Sequence, residues 1–363
     1  MDPRFILRCG DVLLSKTGEA PRAALVSTEF EDATFSPDIY CLRLKSGTVS
    51  PTWLTYYLNS TLIREKLAKR VHGKTTPRLH LADLKHFPVT LPTVELAREV
   101  DQLEEQAQHH SQAALEIWTS TLRGLYTEID GRLGVIARDA GKASGNISPS
   151  SSANLSDDAL MALLDKSHEG LSITPLYQIA KIAVSSRKNF VPDQIVQYVQ
   201  ASDIDPHSFL FRNVRSGKVR DLPARIRLPI QAYQVLLLAS GSNLGSQNHP
   251  VAIVQPELDG CLASNSFLAL EFHETPLYYG MALKHPVVLA QMRHLAVGHV
   301  VSVLRKRDVA QLKIPVLGQV WRQDFNDRAQ IAWERRSIAK QLRSEATHKV
   351  EAFLRQAVTE LSK

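Results

Sequence analysis

Apolar positions along the chain fall into two rhythms. Short stretches alternate with a period of two, as strands do, and two long stretches repeat every three or four residues, as helices do. Residues 11–15, around Val12-Leu13-Leu14, and residues 234–239, around Val235-Leu236-Leu237, predict buried strands that each run into a glycine loop at Gly18 and Gly241. Residues 38–44 set Ile39 and Cys41 on one face and Tyr40, Leu42 and Leu44 on the other, and Phe267–Phe272 is the counterpart strand. Pro51 and Pro276 each open a predicted helix, the first carrying Trp53, Leu54, Tyr57, Leu58 and Leu62 at helical spacing. A proline is tolerated in a first helical turn because its missing N–H would have no partner there. Residues 87–91 and 312–316 predict short closing strands.

These elements repeat. Pro51-Thr52-Trp53 corresponds to Pro276-Leu277-Tyr278, Gly73 to Gly298 and Asp83 to Asp308, all at one offset of 225 residues. A fixed offset across such a span marks two copies of one unit, alike in pattern more than in sequence. After each copy the composition changes. Residues 94–139 hold Val100, Leu103, Ala107, His110, Ala114, Ile117, Trp118, Leu122, Leu125, Ile129, Leu133 and Ile136 in a narrow helical seam. Residues 324–362 repeat this with Ile338, Leu342, Ala346, Val350, Phe353, Ala357 and Leu361. Two such seams in one chain predict an antiparallel pair, roughly 60 Å long at about 1.5 Å per residue. Residues 141–170 lie between the first long helix and the second copy, and the Ser-, Gly- and Asn-rich core at 143–152 reads as a linker. The second copy has a leading segment, 171–232, that the first lacks.

Composition narrows the classes. With 44% hydrophobic and 22% charged residues, the 363-residue chain is globular and long enough for two domains. The apolar runs at 235–239 and 287–290 fall short of the ~20 residues of a membrane span, and residues 1–15 lack the apolar core of a signal peptide. Cys9, Cys41 and Cys261 form neither a disulfide framework nor a zinc motif, which points to a cytoplasmic protein. A net charge of +6 suits a polyanionic partner without requiring one.

Enzymatic motifs are weak. Gly73-Lys74-Thr75 lacks the preceding glycine of a phosphate-binding loop, since Ala68 stands there. No glycine-rich cofactor loop or Asn/Asp-Pro-Pro-aromatic tract of a methyltransferase occurs. His109-His110 point to different faces of a helix and cannot hold one ion. Asp38, Asp83 and Lys85 leave open a metal-dependent nuclease, although the second copy has Ala310 where the first has Lys85.

The order of elements is the informative signal. A Val-Leu-Leu strand running into Gly18, a Pro-started aromatic helix, Gly73-Lys74-Thr75-Thr76-Pro77-Arg78-Leu79, the closing Phe87-Pro88-Val89-Thr90-Leu91-Pro92 and then Glu104-Glu105-Gln106 in a long helix together resemble a target recognition domain of a type I restriction–modification specificity subunit. The resemblance covers about residues 4–140 and 170–363. It implies an α+β chain with two target-recognition-type mixed α/β domains separated by two long helices in an antiparallel coiled coil. The expected boundaries are 1–92 for an N-terminally truncated first recognition domain, 93–140 for a spacer helix and 141–169 for a flexible linker. Residues 170–320 would form the second recognition domain and 321–363 the second spacer helix. The family implies a non-catalytic subunit that reads double-stranded DNA for an adenine-N6 methyltransferase in phage defence. The cofactor S-adenosylmethionine would sit on the modification subunits, none on this chain, and a restriction subunit is a further partner; no membrane is involved. The shortened first domain leaves three readings open: an incomplete reader, a domain completed by another polypeptide, or a scaffold that no longer reads DNA.

Base reading needs polar and basic side chains on loops at one end of each domain, because Arg and Lys match guanine edges and Asn and Gln match adenine. The first copy offers Lys16, Thr17 and Arg22 in one loop and Lys74, Thr75, Arg78 and His80 in the next. The second offers Ser240, Ser242, Asn243, Gln247 and Asn248, then Arg293, His299, Arg305 and Lys306, with Ser186, Arg187, Lys188 and Asn189 in the leading segment. Gly18, Gly73, Gly241 and Gly298 read as turn formers, and Trp53, Tyr57, Tyr278 and Tyr279 as core.

Overall fold

The computed structural model describes residues 6–18, 20–45, 49–73, 75, 77–134, 155–164, 168–183, 190–298 and 301–361. The chain divides into two compact units, Met1–Ala113 with Glu334–Lys363, and Ala114–Trp333. The architecture is mixed α/β with two long helices, as expected. No helix among the described residues is long and apolar enough to cross a membrane.

In the first unit, β1 (Val12–Ser15) lies between β2 (Ala23–Leu25) and β3 (Ile39–Leu42), antiparallel to both. Then α1 (Pro51–Asn59) begins with the Ser50 hydroxyl accepting the Trp53 N–H at 3.0 Å, an N-cap that satisfies one of the four open donors of the first turn. The single helix expected after Pro51 is in fact two. Ser60 turns extended, its hydroxyl donates to the Tyr57 carbonyl at 2.7 Å, and α2 (Thr61–Ala68) restarts behind it. A tight hairpin of β4 (Val71–His72) and β5 (Arg78–Leu79) follows, then α3 (Leu81–Lys85).

The start of α4 (Val94–Arg132) closes this core, as does part of the C-terminal helix (Gln319–Leu361). Val100, Ala346, Val350 and Leu354 pack on Trp53, Tyr57 and Leu58 in one buried cluster. Burial of each Val and Leu side chain here contributes about 1.5–3 kcal/mol. The two helices run antiparallel, since Glu99 pairs with Lys349 at 3.1 Å while Glu104, further along, pairs with the earlier Arg343 at 3.2 Å. The C-terminal seam differs from expectation at Ile338, which is 39% exposed. Ala339 is buried in its place, because a line through Ala346 and Val350 at heptad spacing meets 339 and misses 338.

The second unit starts with the rest of α4 and, after residues outside the description, α5 (Asp157–Leu163). Helix α5 falls within the stretch read as linker, where Ser156 caps the Ala159 N–H and Leu160 is buried. The linker core at 143–152, and Ile136, lie outside the described residues. Then come β6 (Leu171–Pro175), α6 (Leu176–Ile179) and β7 (Ala180–Ile182), followed by β8 (Ile195–Val199), β9 (Ile204–Asp205), β10 (Leu210–Phe211), β11 (Arg215–Lys218) and β12 (Ile226–Pro229). The repeat proper follows as β13 (Val235–Leu238), β14 (Ser240–Gly241), β15 (Val251–Ile253), β16 (Leu262–Ser264) and β17 (Phe267–Phe272). Helices α7 (Pro276–Ala282) and α8 (Pro286–Leu295), β18 (Ser302–Val303), α9 (Lys306–Ala310) and β19 (Lys313–Leu317) lead into α10, the C-terminal helix.

One sheet has the order β15-β13-β17-β7 and another β11-β8-β16-β12. Trp118, Leu125 and Ile129 of α4 join Phe325, Ala329 and Trp333 of α10 in the same cluster as these strands.

The closing strands part company. Residues 313–317 pair along their length with β6, whereas 87–91 are in no strand among the described residues. A strand needs a neighbour to hold its N–H and C=O groups, and the first unit has no described counterpart of β6.

Candidate nucleic-acid interface

The repeat extends to individual main-chain hydrogen bonds. In the first unit β1 meets its neighbours in the register Leu13 to Ala24 and Cys41, and in the second β13 meets Ala252 and Ala269 at Leu236. Beyond each central strand, the Leu79 N–H donates to the Lys16 carbonyl at 2.8 Å and the Leu304 N–H to the Ala239 carbonyl at 2.8 Å. Thr17 then bridges to Arg78, as Ser240 bridges to Val303. His72 pairs with Arg78 and Val297 with Val303, again 225 residues apart. Gly73 and Gly298 turn these hairpins with φ of +103° and +112°, a region that costs little only for glycine. Two loops separated by about sixty residues are thus tied together at the end of each central strand.

In the first unit this tie gathers Lys16, Thr17 and Arg78, with Asp38 at the start of β3. The Arg78 guanidinium reaches Asp38 at 2.6 Å, with both side chains about half exposed. The Lys16 ammonium donates to the Pro37 carbonyl at 2.5 Å and lies 4.4 Å from the centre of the Tyr40 ring, whose hydroxyl donates to the Leu79 carbonyl. The Arg22 N–H donates to the Ser15 hydroxyl, which keeps Arg22 next to β1. Thr75 and His80 are exposed, and the His80 ring lies 5.3 Å from that of His72. Lys74 lies outside the described residues. The carboxylates of the nuclease reading are engaged separately, Asp38 by Arg78 and Asp83 by His72 at 3.2 Å. Among the described residues no group of three or more His, Cys, Asp and Glu could hold a metal ion.

In the second unit the loop after β13 is larger and is fastened from beneath. Lys284, nearly buried in the turn between α7 and α8, donates to the Gln247 and His249 carbonyls. Burial pulls its pKa down to about 8. His249 is fully buried and accepts the Gly245 N–H at Nδ1; burial, with Lys284 close by, lowers its pKa to about 3 and keeps it neutral. Gly245 has φ of +70°, and a Cβ there would stand 2.7 Å from the Leu289 carbonyl oxygen, so only glycine fits against α8.

Ser242, Asn243, Gln247 and Asn248 stand exposed on this fastened loop, with Ser240 half-buried at its root. The Asn243 carbonyl accepts from the Ser246 N–H and hydroxyl, leaving the amide side chain outward of a closed turn. Arg293 is employed in the support: it donates to the Gly245 carbonyl and forms a two-pronged pair with Asp157, at 2.8 Å from Nε. Arg305 bonds Asp308 at 2.5 Å, and Lys306 donates to the Ile182 carbonyl. Ser186, Arg187, Lys188, Asn189 and His299 lie outside the described residues.

Sequence reasoning missed several groups. Arg212, Arg215, Lys218 and Arg220 form an exposed basic row along β11 and its flanks, paired with Asp205, Asp203 and Asp193. The clustering of four cations between 212 and 220 was the available signal. Lys284 and His249 left none, because each meets its loop through main-chain groups.

A scan against protein-family models finds none that matches, and a search of the curated proteins finds none either. Solved structures do match. The HsdS subunit from Thermoanaerobacter tengcongensis is 15% identical, over 98% of this chain and 83% of that one, with a TM-score of 0.32. A type I restriction–modification system S subunit from M. genitalium is 14% identical over 96% and 83%, with a TM-score of 0.43. A structure describing complex assembly and conformational transition of the type I R-M system is 14% identical over 95% and 82%, with a TM-score of 0.33. The chain is thus structurally similar, at 14–15% identity, to two S subunits and to a component of a type I R-M assembly.

Proposed function

We propose that this chain is a sequence-specific DNA-recognition subunit that directs an adenine-N6 methyltransferase to its target. The chain itself performs no chemistry; methyl transfer, with S-adenosylmethionine, belongs to partner modification subunits, and a restriction subunit can join them. The observation that carries the reading is the duplicated loop frame, in which the same main-chain bonds (Lys16 to Leu79, Ala239 to Leu304) present different polar side chains in each copy. Two copies of one frame with different side chains suit a target in two parts, each read on its own terms. Lys16 and Arg78 match guanine edges or phosphates, and Asn243, Gln247 and Asn248 match adenine edges, while the cations around them contribute salt-dependent phosphate binding.

The test is a genome-wide map of methylated adenines in cells that carry the partner methyltransferase with this chain, without it, or with Asn243→Ala. A motif that depends on the chain, and that loses one defined base in the Asn243→Ala strain, is the expected result. Methylated motifs identical in all three strains would overturn the reading. Unaltered motifs in Asn243→Ala, Gln247→Ala and Arg78→Ala strains, with methylation still requiring the chain, would leave it as a scaffold.

A further inference from the structure

In the second unit one segment, 171–182, seals two edges. Its first strand, β6, lies antiparallel along β19, with Ser172 opposite Val316 and Ile173 opposite Pro315. Its last, β7, extends the sheet beyond β17, with Lys181 opposite Glu271. Leu171, Leu176 and Ala180 are buried in the process. The first unit builds the frame that this segment seals. The Tyr57 hydroxyl donates to the Pro88 carbonyl and accepts the Thr90 N–H, as the Tyr278 hydroxyl does with Pro315 and Leu317. Residues 86–90 are therefore drawn out as 313–317 are.

Among the described residues no strand lies beside 87–91, and β3 ends its sheet where β17 carries β7. The consequence is visible in exposure: Val316 is 8% exposed under β6, while Val89 is 41% and Leu91 60% exposed. A groove that adjoins this strip has Val49, Leu91, Pro92 and Val94 along it and Arg98 and Asp101 on its polar side. An extended edge with unpaired main-chain groups and apolar side chains is a template for an added strand.

We propose that the 87–91 edge of the first unit is a docking site for an extended strand of a partner polypeptide, apolar at alternate positions as 171–175 is, which adds antiparallel as β6 adds to β19. The register follows from the second unit. A small polar residue of the partner stands opposite Val89, and apolar ones stand opposite Pro88 and Thr90. The partner contributes main-chain hydrogen bonds to the open edge, and specificity comes from the alternation. The site does not depend on whether either unit reads DNA.

The test uses the full chain and a synthetic peptide of sequence 171–182, with amide hydrogen exchange read at 87–91. The peptide is expected to slow exchange at Val89 and Leu91 at least tenfold, and a scrambled peptide to leave it unchanged. Because Val89 is exposed, Val89→Asp keeps the unfolding midpoint and abolishes the slowing. The proposal is overturned by unaltered exchange at saturating peptide, or by equal slowing with the scrambled peptide or in Val89→Asp. Slowing that needs no peptide and grows with chain concentration would assign the edge to a second copy of this chain and overturn the partner as occupant.

Discussion

Removing one oxygen atom tests how the second unit holds its closing strand. Tyr278 is completely buried in α7, and its hydroxyl donates to the Pro315 carbonyl and accepts the Leu317 N–H, both at 3.0 Å. Burial pushes the phenol pKa well up, so the hydroxyl stays protonated at any working pH and keeps its donor. Tyr278→Phe preserves the ring and its packing but leaves two buried main-chain groups without partners. Each such orphan costs about 1–3 kcal/mol, so the expected loss is about 2–6 kcal/mol. For a unit of this size that lowers the melting temperature by roughly 5–25 °C. The first unit supplies the control: Tyr57 makes the same two contacts at 2.8 and 3.3 Å, but Pro88 is exposed and Thr90 half-buried, so water can replace the hydroxyl. Tyr57→Phe should then cost under about 1 kcal/mol. Urea unfolding followed by circular dichroism, with amide exchange at Leu317, measures both. Equal losses in the two variants, or a Tyr278→Phe loss below about 0.5 kcal/mol, would refute the clamp.

Lys284 carries a pH signature. Its pKa in the fold, lowered to about 8 by burial, lies below the ordinary lysine value of 10.5, so between pH 8 and 10.5 the unfolded chain binds more protons. Wild-type stability should therefore rise across that window relative to Lys284→Met, by roughly 3 kcal/mol at about 1.4 kcal/mol per pKa unit, and the cost is fully present below pH 8. A difference that stays flat from pH 7 to 11 in urea unfolding would exclude a buried ammonium. Gly298→Ala combines a left-handed φ with a Cβ only 2.5 Å from the Val301 carbonyl oxygen, so it should cost about 2–3 kcal/mol and speed exchange across the Val297–Val303 bridge. Gly260→Ala, also left-handed but with open space around the new atom, should cost about 1 kcal/mol.

Local pattern made the central strands and their offset legible, because Val12 and Leu14 line the buried face of β1 and β13 is buried on both faces. It made the long helices legible too, since α4 keeps a seam from Val100 to Ile129. What escaped was set by partners distant in sequence. Residues 87–91 have strand composition but no described neighbour, while 313–317 find theirs some 140 residues upstream. Ser60 ends α1 through its own hydroxyl, where periodicity alone carried the helix onward to Leu62. Ile338 looked like seam because it is large and apolar, yet the seam is set by the turn on which Ala346 and Val350 lie. In the candidate site the exposed polar tips were readable from loop composition. The engagement of Arg293 with Asp157, and the hold of Lys284 on two carbonyls, depend on atoms 136 and about 36 residues away.

The ties at Lys16–Leu79 and Ala239–Leu304 run through amide and carbonyl groups that every non-proline residue carries. Replacing the side chain at 17, 240 or 243 therefore leaves the scaffold of the loop intact, and the selective cost of trying a new one is small. A frame of this kind lets the outward side chains change while the shape of the loop stays put, and the low identity between the two copies is the trace such change would leave within a single gene.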